Sequence, residues 1–194
     1  KKADQISMPT ATLITCHSNA DFDALAAMCA AALIYGPCDV LFPGTQEANL
    51  QTFYQELKER PGAAPGCTFL DDRVPDFSKY GRLVAVDTRR RSRLRHVWPL
   101  LDNPGTHIEV WDHHPETSDD VHAHVCHAEI CGAVTTLLIE EIQKRNIAVS
   151  RETATVLGLG IYSDTGSFSF SSVTQRDFAA AGWLLGRGMD INII

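Results

Sequence analysis

Short apolar runs rich in β-branched residues alternate along the chain with longer segments whose apolar residues recur at helical spacing. The short runs predict strands at residues 12–16, 40–42, 67–70, 82–86 and 108–111. The longer segments predict helices at residues 21–34, 46–60, 133–145, 150–162 and 174–188. Strands that alternate with helices of this length favour a parallel sheet covered on both faces. The predicted fold is therefore a doubly wound α/β domain with a mainly parallel sheet and helices on both faces.

One domain accounts for nearly all of the 194 residues, which suffice to bury a sizeable core. Residues 10–194 form the predicted domain. Residues 1–9 carry two lysines and no signal-peptide core, so we expect a flexible extension on a cytoplasmic protein. No apolar run reaches the roughly 18 residues of a transmembrane helix, so no membrane partner is expected. The apolar end at residues 191–194 predicts a fragment of a longer multidomain protein, because natural termini are more often polar.

The chain is acidic, with a formal net charge of −7. Domains that grip nucleic acid over their whole surface are usually basic, so the charge argues against that class of protein. A local basic cleft is still compatible with this net charge. Bound divalent cations would also offset part of the carboxylate charge.

Acidic and histidine side chains gather where the predicted strands end, which is where parallel sheets bind ligands. Three clusters follow strands and a fourth closes a predicted helix: His17 with Asp21 and Asp23, Asp87 alone, Asp112 with His113 and His114, and Asp164. Taken singly, such residues have ordinary explanations, and Asp21 and Asp23 could simply cap the helix that follows them. Taken together, these groups would repel one another at adjacent strand ends unless cations neutralised them.

The mixture of carboxylates and imidazoles narrows the choice of metal. It suits manganese, magnesium or iron better than structural zinc, which prefers cysteine. Two such ions a few Å apart can generate a hydroxide and stabilise the charge of a transferring phosphoryl group. The clusters therefore indicate phosphoryl chemistry with two divalent cations.

The order and spacing of the clusters resemble the metal motifs of the DHH phosphoesterase superfamily. The matching motifs are His17-x-x-x-Asp21-x-Asp23, Asp87 after an apolar strand, Asp112-His113-His114 and Asp164-Thr-Gly-Ser-Phe168. That superfamily includes RecJ-type exonucleases, oligoribonucleases, cyclic-dinucleotide phosphodiesterases, exopolyphosphatases and family II inorganic pyrophosphatases. A narrower likeness, through residues 17–25, 41–47, 86–89 and 164–168, is to the amino-terminal DHH module of certain bacterial nucleotidyltransferases. There the module precedes CBS domains and a poly(A)-polymerase or CCA-adding head.

The resemblance implies a role for each matched residue. The implied ligands are His17, Asp21 and Asp87 for one ion and Asp23, Asp87, His113 and Asp164 for the other, with manganese favoured and magnesium the alternative. Asp87 would bridge the two ions. His114 would face the substrate phosphate, and Asp112 would orient a neighbouring imidazole.

Three further stretches carry weaker signals. Arg89 and Arg90, in an arginine-rich run that continues to Arg93, could bind phosphates or an RNA strand, or could form a solvated surface loop. The histidine-rich stretch at residues 122–127 could bind metal, although a polar surface strand is favoured. The helix that opens at residues 132–136 could receive an anion or mark a tight packing site.

Three functions are consistent with the sequence. The leading hypothesis is a phosphoesterase that hydrolyses phosphodiester or phosphomonoester bonds of nucleotides or RNA ends, as a module of a tRNA- or RNA-processing protein. The second is an exopolyphosphatase or inorganic pyrophosphatase. The third is a non-catalytic nucleotide-binding module, against which the complete ligand set argues. The expected ligand is a phosphorylated small molecule or a short nucleic acid. The expected downstream domains are CBS and nucleotidyltransferase domains, or a DHH-associated domain. A homo-oligomer is compatible with the sequence.

Overall fold

The computed structural model describes residues 11–70 and 74–194, so the predicted extension at residues 1–9 lies outside the described residues. The described part forms one sheet of six parallel strands in the order β3-β2-β1-β4-β5-β6. The strands are β1 (Ala11–Cys16), β2 (Cys38–Leu41), β3 (Cys67–Phe69), β4 (Tyr80–Val86), β5 (His107–Asp112) and β6 (Val125–Ala128). The α-helices are α1 (Phe22–Tyr35), α2 (Ala48–Lys58), α3 (Trp98–Leu101), α4 (Val134–Lys144), α5 (Arg151–Asp164) and α6 (Gln175–Leu185). The predicted α/β fold with a parallel sheet is confirmed.

The central strands β1 and β4 bury both of their faces. Successive side chains of a strand point to opposite sides, so each strand contributes to two cores. Ile14 and Val84 pack with the residues of α1, α2, α4, α5 and α6. Leu13 and Leu83 pack on the other face, against Leu94 and its neighbours in the crossover from β4 to β5. Helices therefore cover both faces, but the second face carries only short helical turns and the four-residue α3.

The sheet order changes direction between β1 and β4. The chain runs outward from β1 to β2 and β3, then returns to β4 and runs outward the other way to β5 and β6. The carboxyl ends of β1 and β4 thus form the topological switch point, where open α/β sheets bind ligands. No helix within residues 11–70 and 74–194 has both the length and the apolar character needed to cross a membrane.

Helix α1 is buried almost all round and packs closely against α5. Gly160 of α5 lies at this contact: a Cβ atom there would come 2.6 Å from Ala26 Cβ and 2.9 Å from Thr135 Oγ1. We therefore expect Gly160→Ala to lower the free energy of unfolding by about 1–3 kcal/mol, the usual cost of overpacking a core. Urea denaturation would measure it.

Gly182→Ala in α6 provides the matched control. A Cβ atom at Gly182 meets nothing within 4 Å, and alanine is the better helix former. This variant is expected to keep or slightly raise the stability. If both substitutions changed stability equally, the close contact between α1 and α5 would be contradicted.

Candidate metal centre

The candidate metal centre lies at the carboxyl ends of three neighbouring strands. His17 follows β1, Asp87 follows β4 and Asp112 closes β5. The strand register brings these three ends level with one another. Asp164, the last residue of α5, reaches the same place from the helical layer. The expected gathering of these side chains at one edge of the sheet is confirmed.

Asp87 connects two groups of potential ligands. Its Oδ2 atom lies 3.1 Å from His17 Nε2, and its Oδ1 atom lies 3.3 Å from His113 Nε2. His17 Nε2 is also 3.7 Å from Asp21 Oδ2, and His113 Nε2 is 3.2 Å from Asp164 Oδ2. Three sets each offer ligand atoms within 4.8 Å of one another: His17 with Asp21 and Asp87, Asp23 with His113 and Asp164, and Asp87 with His113 and His114.

The backbone of Asp87 is held in an unusual conformation. Its φ angle is 60°, in the left-handed region that is uncommon for residues other than glycine, although asparagine and aspartate tolerate it best. Its amide donates to the carbonyl of Trp111, which fixes the turn at the end of β4. Conformations of this kind cluster at functional sites. Here the turn places a carboxylate between two imidazoles.

Asp21 and Asp23 both cap helices. Asp21 Oδ1 accepts from the amide of Ala24, as expected for the N-cap of α1. Asp23 instead accepts from the amides of Val134 (2.7 Å) and Thr135 (3.1 Å) at the start of α4. The helix start at residues 132–136 therefore receives an anion, as the sequence suggested, but that anion is a carboxylate of the protein itself.

Asp112 holds the ring of His114. Its Oδ1 atom accepts from the amides of His113 and His114 and lies 2.7 Å from His114 Nδ1. Asp112 itself is buried, whereas the His114 side chain is 39% exposed. The same Nδ1 atom lies 3.8 Å from Asp87 Oδ1, so the partly exposed imidazole stands beside the ligand groups.

Arg89 and Arg90 differ in their surroundings. The Arg89 guanidinium turns inward: Nε lies 2.9 Å from Asp120 Oδ2 and 3.6 Å from Asp112 Oδ2, and Nη2 donates to the His114 carbonyl. This geometry assigns Arg89 to holding the loop that carries Asp112 and His114. Arg90 is exposed. Substrate binding by either arginine stays a prediction.

The second nitrogens of two histidines have partners that the sequence did not indicate. His113 Nδ1 donates to the carbonyl of Cys131 at 2.9 Å, which leaves Nε2 directed at the carboxylates. His17 Nδ1 lies 3.0 Å from the Ser18 carbonyl and 2.7 Å from Arg93 Nη2. Such contacts orient metal ligands. A backbone carbonyl leaves no mark in the sequence, so this support could not have been found there.

Crowding of carboxylates shifts the ionisation of the centre. Burial, followed by the charge of Asp87, raises the pKa of Asp164 to about 6, and the same two causes raise the pKa of Asp23. Burial also opposes ionisation of Asp87, but His113 and His17 outweigh it and bring its pKa to about 2. Burial opposes protonation of His113, yet Asp87 and Asp23 raise its pKa to about 10. The carboxylates thus draw positive charge into the centre.

Two buried polar atoms indicate that the donor set fits a cation. Asp87 Oδ1 and His113 Nε2 are buried, and neither makes an aligned hydrogen bond to any residue that the structure describes. Buried polar groups are otherwise almost always paired. Carboxylate oxygens and an imidazole nitrogen that converge without satisfying one another are the donors that a divalent cation takes.

The histidine-rich stretch lies apart from the three ligand sets. His127 belongs to the edge strand β6, stacks on Trp111 with ring centres 3.8 Å apart, and lies 3.1 Å from Glu109 Oε1. His124 Nδ1 accepts from the amide of Ile108. The preferred interpretation of this stretch as a surface strand is confirmed only for residues 125–127, because β6 begins at Val125 and His122 and His124 precede it.

Comparison with known proteins adds to this geometry. The model described as "DHH family, N-terminal domain" matches residues 11–161. An A-adding tRNA nucleotidyltransferase from Geobacter sulfurreducens is 40% identical over 182 residues, covering 94% of this chain and 20% of that protein. A cyclic-di-AMP phosphodiesterase from Geobacillus thermodenitrificans is 27% identical over 152 residues, covering 76% of this chain and 23% of that protein. The chain thus spans about a fifth of the length of these relatives.

A solved structure shows the same fold. An exopolyphosphatase-related protein from Bacteroides fragilis has a TM-score of 0.65 with 17% sequence identity, over 94% of this chain and 54% of that chain. At this identity the likeness concerns the fold alone.

Proposed function

Since this chain belongs to the DHH family, we propose that it is a phosphoesterase that uses two divalent cations. Its substrates would be phosphodiester or phosphomonoester bonds of nucleotides or RNA ends. The observation that carries the proposal is the placement of Asp87, which offers one carboxylate oxygen to each of two ligand groups. A shared carboxylate between two adjacent sites is the arrangement that two-metal hydrolysis needs.

The ligands proposed for the two sites follow these groups. His17, Asp21 and Asp87 would hold one ion, and Asp23, Asp87, His113 and Asp164 the other. The mixed carboxylate and imidazole donor set favours manganese, with magnesium as the alternative. Such ions would supply the positive charge that a transferring phosphoryl group requires and would acidify the attacking water.

His114 is proposed to contact the substrate phosphate. Asp112 fixes its ring through Nδ1, so that the imidazole would meet the phosphate in one fixed orientation. Asp112 is thus a positioning residue that acts through His114.

We expect His114→Ala to lower kcat about 100-fold, the usual effect of losing one group that stabilises transition-state charge. Manganese affinity should change little, because the other ligand sets stay complete. His127→Ala is the matched control, since its side chain is also 39% exposed but packs on Trp111 in β6. A loss of metal affinity in His114→Ala, equal to its loss of activity, would show instead that His114 is a ligand.

The chain is further proposed to be a module of a longer RNA-processing protein. The relatives that support this are about five times as long as the matched segment, and one of them is an A-adding tRNA nucleotidyltransferase. The alternative activity, on inorganic polyphosphate or pyrophosphate, would use the same candidate metal centre.

A substrate panel with manganese tests the proposal. The chain would be incubated with bis-p-nitrophenyl phosphate, short RNA, 3′-phosphorylated RNA, polyphosphate and pyrophosphate, with and without a chelator. Manganese-dependent cleavage of the phosphodiester or RNA substrates is expected. Cleavage of polyphosphate or pyrophosphate alone would support the alternative. Stoichiometric manganese binding without hydrolysis of any substrate would overturn the proposal in favour of a regulatory module.

A further inference from the structure

A group of basic side chains leads away from the candidate metal centre across the thinly covered face of the sheet. We call Arg90, Arg91, Arg93 and Arg95, together with Trp98, the arginine strip. Five of the 17 lysines and arginines of the chain lie within residues 89–95. In a chain with a net charge of −7, this concentration is a local exception.

The strip begins at the metal centre. Arg93 Nη2 lies 2.7 Å from His17 Nδ1, and the carbonyl of Arg93 accepts from the amide of Ser18. The amide of Arg91 donates to the carbonyl of Asp119, in the loop that follows His114. Backbone hydrogen bonds therefore join the strip to the loop that follows β1 and to the loop that follows His114. A polyanion lying on the strip would have one end at the proposed ligands.

Part of the positive charge in the strip is not engaged in an ion pair among the described residues. Arg91 is paired with Asp102 at 2.7 Å. Arg90 and Arg95 are exposed, and neither makes an ion pair within 4 Å to a carboxylate of residues 11–70 or 74–194. Exposed guanidinium groups that are free of ion pairs are suited to phosphate, which they can bind through two parallel hydrogen bonds.

Trp98 adds an aromatic surface to these charges. Its side chain is 39% exposed, and its Nε1 donates to the carbonyl of Arg91, which fixes the ring. The guanidinium carbons of Arg91 and Arg95 lie 5.4 Å and 5.7 Å from its ring centre. A fixed, exposed indole flanked by guanidinium groups combines the two elements of single-strand recognition, which are a stacking surface and phosphate-binding cations.

We propose that the arginine strip binds a single-stranded RNA whose reacting phosphate lies at the metal centre. Arg90 and Arg95 would bind backbone phosphates, and Trp98 would stack on one base. An acidic peptide could satisfy the arginines but offers no base to the indole, and free polyphosphate would leave Trp98 unused. This inference rests on the proposed function and narrows its substrate class from phosphate esters in general to an RNA strand.

Fluorescence anisotropy of a short labelled oligoadenylate tests the inference without turnover, in buffer that contains no added divalent metal. Trp98→Ala is expected to weaken binding about tenfold, which lies within the usual effect of losing one stacked base. Arg95→Ala should weaken it and lower the salt dependence by about one counterion. Arg90→Glu is a second charge variant that leaves the packing of Trp98 untouched.

Arg187→Ala is the matched control, because Arg187 is an exposed arginine whose guanidinium carbon lies 3.4 Å from the ring centre of the partly buried Trp183. Binding by this variant should equal that of the parent chain. If Trp98→Ala, Arg95→Ala and Arg90→Glu all bound the strand as tightly as Arg187→Ala, the inference would be overturned. If polyphosphate competed fully with the oligoadenylate, and Trp98→Ala bound the oligoadenylate as tightly as the parent chain, the stacking role of Trp98 would be contradicted.

The same variants separate this inference from the proposed function. Hydrolysis of bis-p-nitrophenyl phosphate needs the metal centre and no strand, so Trp98→Ala and Arg95→Ala should retain it. If these variants kept both hydrolysis and RNA binding, the RNA-binding role of the arginine strip would be contradicted, while the proposed phosphoesterase function would be unaffected. If RNA binding depended on the strip but no substrate were hydrolysed, the RNA-binding role would be supported and the proposed phosphoesterase function would be contradicted.

Discussion

Replacing Asp87 with asparagine is expected to abolish turnover while the chain stays folded. Asp87 is the only residue placed between the His17 and His113 groups in the proposed ligand assignment, with one oxygen toward each. Asparagine keeps the shape of the side chain and tolerates the φ angle of 60° at this position. It removes the negative charge that the two sites share. The change therefore tests the shared ligand rather than the fold.

The expected magnitudes are large at both sites. Changing a mere supporting partner of a ligand costs about 10–100-fold in metal affinity, so loss of a shared ligand should cost at least about 100-fold. We expect kcat to fall by about three orders of magnitude or more, since both cations that stabilise the reacting phosphate are affected. Calorimetric titration with manganese measures the first effect, and hydrolysis of bis-p-nitrophenyl phosphate measures the second.

Asp76→Asn is the control for this experiment. Asp76 precedes β4 at its other end, is exposed, and accepts from Ser78 in a short helical turn. Its replacement should leave both metal affinity and kcat unchanged. If Asp87→Asn bound manganese with the stoichiometry and affinity of the parent chain, the bridging role of Asp87 would be wrong.

The sequence was sufficient to predict the strands and helices whose apolar residues follow a regular pattern. Five of the six strands follow from apolar runs. The runs are clearest in the central strands β1 and β4, because strands buried on both faces need continuous apolar residues. The helix at residues 98–101 escaped prediction because four residues cannot display helical periodicity, and its proline reads as a loop signal. The edge strand β6 has only four residues, none of them buried, and was predicted only as the preferred alternative for the histidine-rich stretch.

The candidate centre was predictable to the extent that each of its residues follows a strand or closes a helix. Proximity in a parallel sheet comes from topology, so the grouping of His17 with Asp87 needed no knowledge of packing. The contacts of Asp23 with the start of α4 were not predictable in this way. They join residues 111 and 112 positions apart, and nothing near Asp23 in sequence indicates which helix it caps.

Asp177 is a second long-range cap, and its replacement is expected to have the largest effect on stability. The residue is fully buried near the start of α6. Its Oδ2 atom accepts from the amides of Thr174 (2.7 Å) and Gly132 (2.9 Å), and its Oδ1 atom accepts from Thr136 Oγ1 (2.7 Å). One carboxylate thereby fastens α6 to the start of α4. The same start of α4 provides the amides that hold Asp23.

We expect Asp177→Asn to lower the free energy of unfolding by about 2–4 kcal/mol at neutral pH, because hydrogen bonds to a charged group are each worth about 1.5–3 kcal/mol and are not additive. The amide of asparagine would also turn a donor toward groups that are themselves donors. Asp76→Asn, at an exposed cap, is again the control and should change stability little. Urea denaturation at neutral pH measures both variants.

The loss of stability in Asp177→Asn should depend on pH, and the contacts of Asp177 determine the direction of that dependence. Burial opposes ionisation, but the hydrogen bonds from Thr136, Thr174 and Gly132 outweigh it and hold the pKa of Asp177 below its ordinary value. The stabilisation is then complete above the unfolded pKa of about 3.9 and is lost as the pH falls through the lower folded pKa. The parent chain should therefore lose its advantage over Asp177→Asn in acid, where its own carboxyl becomes protonated. Urea denaturation from pH 6 down to pH 3 would show a narrowing gap, whereas a gap that stayed constant over that range would mean that the charge of Asp177 contributes nothing to its role as a cap.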